Sequence, residues 1–212
     1  MRTSKAESGS MPCRNPQCGV TLVELVIFIV VVGVGVAGIL LVYTSTARHS
    51  ADPQIRKQML AVAEVLLEET ALMPFTFCDP DDADAVIAGA ALVGAGNCAS
   101  TVDAIGPEAG ETRYAPSRRF DNVNDYAGFS TATATPEGIA DHSGTVIGSL
   151  AGYSAQVSVK AQSLGPAGAV IAATDANGAP QVLLVTVTVT AAGGDAISLS
   201  GYRTRYAPNA VP

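Results

Sequence analysis

Apolar residues recur with three different periods along this chain, and each period predicts a different element. From Leu25 to Tyr43 there is no charged residue at all. A helix of that length is apolar on every side and can cross the ~30 Å hydrocarbon core of a bilayer. Beyond Pro53 the period changes. Ile55, Met59, Val62 and Leu66 are spaced to form one stripe on an amphipathic helix that packs on a sheet. Arg56, Lys57, Glu64, Glu68 and Glu69 occupy its other sides, and Met73-Pro74 should end it. In the last quarter the period is two. Tyr153, Ala155, Val157 and Val159 alternate with polar neighbours, and Val185, Val187 and Val189 alternate with Thr186, Thr188 and Thr190. That is the signature of strands with one covered face. Asn177-Gly178 offers a turn between Ala169–Ala173 and Val182–Thr190, and Gly193-Gly194 leads into Ile197-Ser198-Leu199. The alternation slips at Gly201, where Tyr202, Thr204 and Tyr206 take over, which predicts a bulge.

The boundaries are drawn by turn chemistry. Ser50-Ala51-Asp52-Pro53 reads as a break and restart, because Pro53 removes one backbone bond but suits a first helical turn, with Ser50 or Asp52 as its cap. Residues 75–150 keep no sustained period. Asp79, Asp81, Asp82 and Asp84 lack the alternating ligands and glycine of an EF-hand and read as a solvated loop or helix start. The Ala/Gly-rich run 83–96 is open between a short helix and a loop. Asp121, Asn122, Asn124 and Asp125 could supply oxygens to calcium. Asp and Asn also make turns by bonding their own backbone, and that reading is favoured, with Phe120 and Tyr126 as anchors. The expected class is α+β: a long N-terminal hydrophobic helix, kinked or broken near 50–53, packed on a C-terminal antiparallel sheet within 151–206.

One acid stands at the edge of the apolar run. Glu24 costs a few kcal/mol in hydrocarbon unless something pairs with it. With Gly19-Val20-Thr21-Leu22-Val23 before it, this stretch resembles the type IV pilin family, pseudopilins of type II secretion included. The resemblance implies a pilin-like fold and a leader, residues 1–19, removed by a prepilin peptidase after Gly19. Val20 would then be the new N-terminus and the site of N-methylation. Glu24 would be the fifth mature residue, meeting the terminal amine of a neighbouring subunit in a filament. Residues 20–49 would form the transmembrane and filament-core helix, 50–74 the amphipathic helix, and 75–212 a periplasmic or extracellular domain. The leader would face the cytoplasm of a single-pass inner-membrane protein that later joins a pilus. Partners would be membrane lipid, the inner-membrane assembly machinery and other pilin subunits. Val20 departs from the usual phenylalanine, and Leu41 stands where many relatives have proline. Gly33, Gly35, Ala37 and Gly38 permit close helix approach and would have to provide any local melting. A cleaved secretory signal fits poorly, since the run is too long and Thr46-Ala47 is a weak site.

Farther on, Ser-Ala-Asp-Pro (50–53), Ala-Glu-Val-Leu-Leu-Glu-Glu (63–69), Gly-Pro-Glu (106–108) and Phe-Asp-Asn-Val-Asn-Asp-Tyr (120–126) resemble minor pilins of mannose-sensitive haemagglutinin pili. The alternatives are a minor pseudopilin of type II secretion and an anchored periplasmic binding module that never polymerises.

Charge and cysteines narrow the function. The formal charge is −7, and loss of Arg2, Lys5, Arg14 and Glu7 with the leader makes it more negative still. Nucleic acid is a poor partner for such a chain. Cys13 and Cys18 would leave with the leader. Cys78 and Cys98 remain, most simply as one disulfide in an oxidising compartment, with two buried thiols as the alternative. His49 and His142 are isolated, and neither His-Glu-x-x-His nor a phosphate loop occurs. Both histidines read as surface or turn residues. The sequence points to a structural part, not an enzyme, and requires no cofactor.

Overall fold

The computed structural model describes residues 21–211, the side chains of 45–52 excepted. It contains one helix, α1 (Leu22–Leu72), and three strands, β1 (Tyr153–Ala161), β2 (Val182–Ala191) and β3 (Ala196–Thr204). Short 3₁₀ turns occur at Val123–Tyr126 and Gly148–Leu150. The class is α+β, as the periods indicated. By compactness the chain divides between Ser50 and Ala51. α1 is nevertheless one helix of 51 residues with Pro53 inside it. The interruption expected at Ser50–Pro53 is therefore a boundary between units and not a helix end. Proline forfeits one backbone bond inside a helix, at about 3 kcal/mol, but its fixed φ is helical and the turns on either side carry the element. No new cap is needed there, and the side chains of His49, Ser50 and Asp52 lie outside the described ones.

In the second unit the stripe on α1 buries as its spacing requires. Met59 and Ala63 are fully buried, Val62 and Leu66 nearly so, and Ile55 packs at the margin. They share one core with Ala155, Val157 and Val159 of β1 and Val185, Val187 and Val189 of β2, flanked by Ile197 and Leu199 of β3. Burying each such aliphatic side chain is worth roughly 1.5–3 kcal/mol. The helix ends one residue before Met73-Pro74, since the residue preceding proline is driven out of the α region.

The sheet is antiparallel in the order β1-β2-β3. Val157 faces Val187, and Val187 faces Leu199. On the outer face Thr186 meets Ser200 at 2.9 Å and Thr188 meets Ser198 at 2.8 Å, hydroxyl to hydroxyl. This cross-strand ladder keeps the open face polar. The far edge of β1 is covered by residues 128–131, where Thr131 N donates to Ala155 O at 2.9 Å and Val157 N to Phe129 O at 2.9 Å.

Two expectations for the sheet fail. Ala169–Ala173 is not a strand: β1 and β3 occupy both sides of β2, which leaves no ladder for it. Residues 162–181 form a loop with isolated bridges at Leu164–Ile171 and Thr174–Pro180. The Asn177-Gly178 turn does form inside it, held by the Asp175 carboxylate, which accepts from Asn177 N and Ala179 N. There is also no bulge at Gly201. The pairing of β2 with β3 runs in unbroken register from Val182–Thr204 to Thr190–Ala196. Ile197, Leu199, Gly201 and Arg203 share the more covered face, and Leu67 of α1 fills the space beside Gly201. Arg203 donates to Met73 O at 3.1 Å, so a cation ends a row that apolar residues began. That is why the hydrophobic alternation looked shifted.

Residues 75–150 have almost no regular structure, yet their side chains are firmly held. Arg113 makes a two-pronged pair with Glu69 of α1, at 2.7 and 2.6 Å, and Tyr126 donates its hydroxyl to Glu69 at 2.7 Å. Burial alone would raise the Glu69 pKa, but these bonds outweigh it and leave it below its ordinary value. The rings of Tyr114, Phe120, Tyr126 and Phe129 meet edge to face, an arrangement favoured by the ring quadrupoles. Phe120 and Tyr126 thus anchor their turn as expected. Two acids of the 79–84 group correct the solvated reading: Asp79 is buried, and so is Asp82. The Asp82 carboxylate accepts from the N–H groups of Asp84, Ala99, Ser100 and Thr101, which together hold its pKa far down against the effect of burial. Cys78 and Cys98 form a disulfide, with Cα atoms 5.5 Å apart. Ala85 and Ala88 pack around it, so the ambiguous Ala/Gly run is a set of turns whose small residues fit a small core.

Candidate functional site: the start of the long helix

The first unit is built to be partnered from outside. Leu22–Thr44 is long and apolar enough to cross a membrane, and none of it is buried within the chain. Each large side chain from Leu25 to Val32 is more than two-fifths exposed. Such a surface has no stable place in water. Gly33, Gly35 and Gly38 have open space where a Cβ would stand, so nothing in the chain itself demands glycine there.

Thr21 starts the helix. Its carbonyl accepts from Leu25 N at 3.1 Å, and its hydroxyl accepts from Glu24 N at 3.3 Å. This is an N-cap, which satisfies one of the first-turn amides that lack a partner within the helix. Thr21-Leu22-Val23-Glu24 has the Thr-x-x-Glu order of a capping box. That order is visible in the sequence, but it is overlaid by the longer Gly-Val-Thr-Leu-Val-Glu stretch at 19–24. The cap fixes Glu24 in the first turn, where the helix dipole favours an anion. It is the only acid there. Gly19 and Val20 lie outside the described residues.

The weak calcium candidates are divided in their roles. The Asp125 carboxylate accepts from Asp121 N at 3.0 Å and Asn122 N at 2.7 Å, while Asn122 accepts from Val123 N at 2.8 Å. That is the self-bonded turn the sequence favoured. Asn122 is occupied further, donating to Thr76 at 2.7 Å and to Asp103 at 2.6 Å. Asn124 donates to Asp103 and to Ala104 O. His142 is exposed beside Arg119.

A family model described as the prokaryotic N-terminal methylation motif matches residues 14–40. The matched span holds Gly19, Val20 and Glu24 together with most of the apolar run. The match is confined to the start of the chain, and it supports a type IV pilin-like or pseudopilin-like N-terminus. The exposed apolar helix fits such a membrane-anchored protein. No curated protein and no solved structure matches the chain.

Proposed function

We propose that this chain is a minor type IV pilin, similar to MshD of mannose-sensitive haemagglutinin pili, that enters or primes a filament after its leader is removed. The observation that carries the reading is a single acid, Glu24, capped into the first turn of a wholly exposed apolar helix. Cleavage after Gly19 would free an α-amino group at Val20, one turn from that acid. In a filament core neither charge is stable alone. Pairing Glu24 with the amine of a neighbouring subunit neutralises both and fixes the axial register between helices. Methylation of the Val20 amine leaves its charge in place. Before assembly the helix rests in the inner membrane, with the leader in the cytoplasm and the second unit in the periplasm. The assembly machinery then exchanges lipid contacts for helix–helix contacts, with the flat surface at Gly33, Gly35 and Gly38 admitting close neighbours. The mid-chain likeness favours a pilus over a secretion machine.

Glu24→Ala tests this. The variant should insert and lose its leader normally, yet its recovery in sheared filaments should fall about tenfold or more, as expected from an unpaired buried amine. Normal recovery contradicts the role given to Glu24.

A further inference from the structure

Six carboxylates that the assembly reading does not use meet in the irregular part of the second unit. Oxygens of Asp79, Glu111 and Asp121 lie within 4.8 Å of one another, and so do those of Asp103, Glu108 and Asp125. The two groups adjoin. Glu108 N donates to the Glu111 carboxylate at 3.2 Å, and Asp121 N to the Asp125 carboxylate at 3.0 Å. Three distant stretches of chain therefore bring their acids to one place.

Acids alone would carry no conclusion, but buried oxygens beside them lack partners. Asp125 is fully buried; one of its oxygens accepts two backbone N–H groups, and the other, Oδ1, accepts nothing. Asn124 is 1% exposed, and its amide lies against Asp103 and Ala104 O with its own Oδ1 unpartnered. Asp121 Oδ1 is buried without a partner as well. Each orphaned acceptor costs roughly 1–3 kcal/mol, and the fold places three of them within residues 121–125. When ionised, the two carboxylates only accept, as the amide oxygen does, so the missing group is a donor or a cation.

The neighbouring cation does not fill the role. Arg205 acts on Asp103 through space, but its guanidinium makes no hydrogen bond and lies over the rings of Phe75 and Phe77, at 4.2 and 5.0 Å. Burial first, and mutual repulsion next, push Asp103 up to about 9 and Asp121 and Asp125 to about 7. Glu108 rises to about 8, through burial, its bond with Glu111 and repulsion from Asp125.

We propose that this cluster binds calcium, with carboxylate oxygens of Asp79, Glu111, Asp121 and Asp125 as principal ligands and Asp103, Glu108 and the Asn124 carbonyl completing the acidic shell. The donors are all hard oxygens, numerous and drawn from three separate stretches of chain, which suits calcium's six to eight ligands better than the strict octahedron of magnesium. No cysteine or histidine stands among them to favour zinc. Bound calcium would tie the turn at 121–125 to the loop at 103–111 and to Asp79, next to the disulfide.

The test uses the full chain in detergent, stripped with a chelator and returned to calcium at about 1 mM, a range in which extracellular modules bind it. Equilibrium dialysis should find calcium on the wild-type chain, and the thermal midpoint should rise by about 5 °C or more. Asp121→Asn should weaken binding about tenfold or more, while Asp141→Asn, in an exposed turn elsewhere, should bind as wild type. If Asp121→Asn does not fold, Glu111→Gln replaces it. Wild-type chain that takes up no calcium, or a cluster variant that binds as tightly as wild type, overturns the proposal.

Discussion

The helix from Leu22 to Thr44 and the loops from 75 to 150 are opposites in how they are held. The helix has perfect local regularity and no buried side chain. The loops have almost no regular structure, yet they bury Asp82, Arg113, Asn122, Asn124 and Asp125. Regularity in the first case comes from the backbone alone, and nothing in the described chain packs against it. In the second, side chains take over the work that a ladder of backbone bonds does elsewhere. Secondary structure and stability are thus separable: the most ordered-looking stretch buries nothing within the chain, and the least regular one depends on its own residues.

Substitutions should expose that contrast. The largest effect is expected at Glu69, where removal of one partner leaves the Arg113 guanidinium, only 6% exposed, without its acid. Glu69→Gln should lower the stability of the second unit by about 3 kcal/mol, measured by chemical denaturation. Its pH dependence has a definite sign. The folded pKa of Glu69 lies below its ordinary 4.5, so its contribution is complete above about pH 4.5 and is lost as pH falls through the folded value. Wild type and Glu69→Gln should therefore converge in acid; a constant gap down to pH 2 would deny the pair its role. A comparable loss, about 3 kcal/mol by loop-entropy reasoning, is expected when Cys78 and Cys98 are both replaced by alanine. Little or no change there would mean the small core around Ala85 and Ala88 suffices without the bond. At the other extreme, Leu40→Ala should change the unfolding of the second unit by less than about 0.5 kcal/mol. A large effect from that exposed position would break the comparison.

Much of the regular part was legible beforehand. The stripe of Met59, Val62 and Leu66 and the alternation of β2 each report burial on one face, and the structure places those faces inward. The Cys78–Cys98 bond followed from an even pair of cysteines. What misled were local signals with non-local outcomes. Ala169–Ala173 has strand character, but both edges of β2 are taken by other strands. Gly201 suggested a bulge because Arg203 occupies a covered position that a hydrophobic count passes over. The acidic cluster was half visible: Asp121 and Asp125 stand close in sequence, whereas Asp79, Asp103, Glu108 and Glu111 join them only through the fold. Asn122 and Asn124, equally suggestive by type, spend their amide groups on Asp103. At the N-terminus the methylation motif was plain, and the Thr21 cap was hidden within it.

The account turns on an amine created at Val20 to match Glu24. The intact mass and N-terminal sequence of the native protein test this directly. The account predicts a chain that begins at Val20, carries one methyl group on that amine and has Cys78 joined to Cys98. A native protein that still begins at Met1 would contradict it, leaving Glu24 with no such amine to meet.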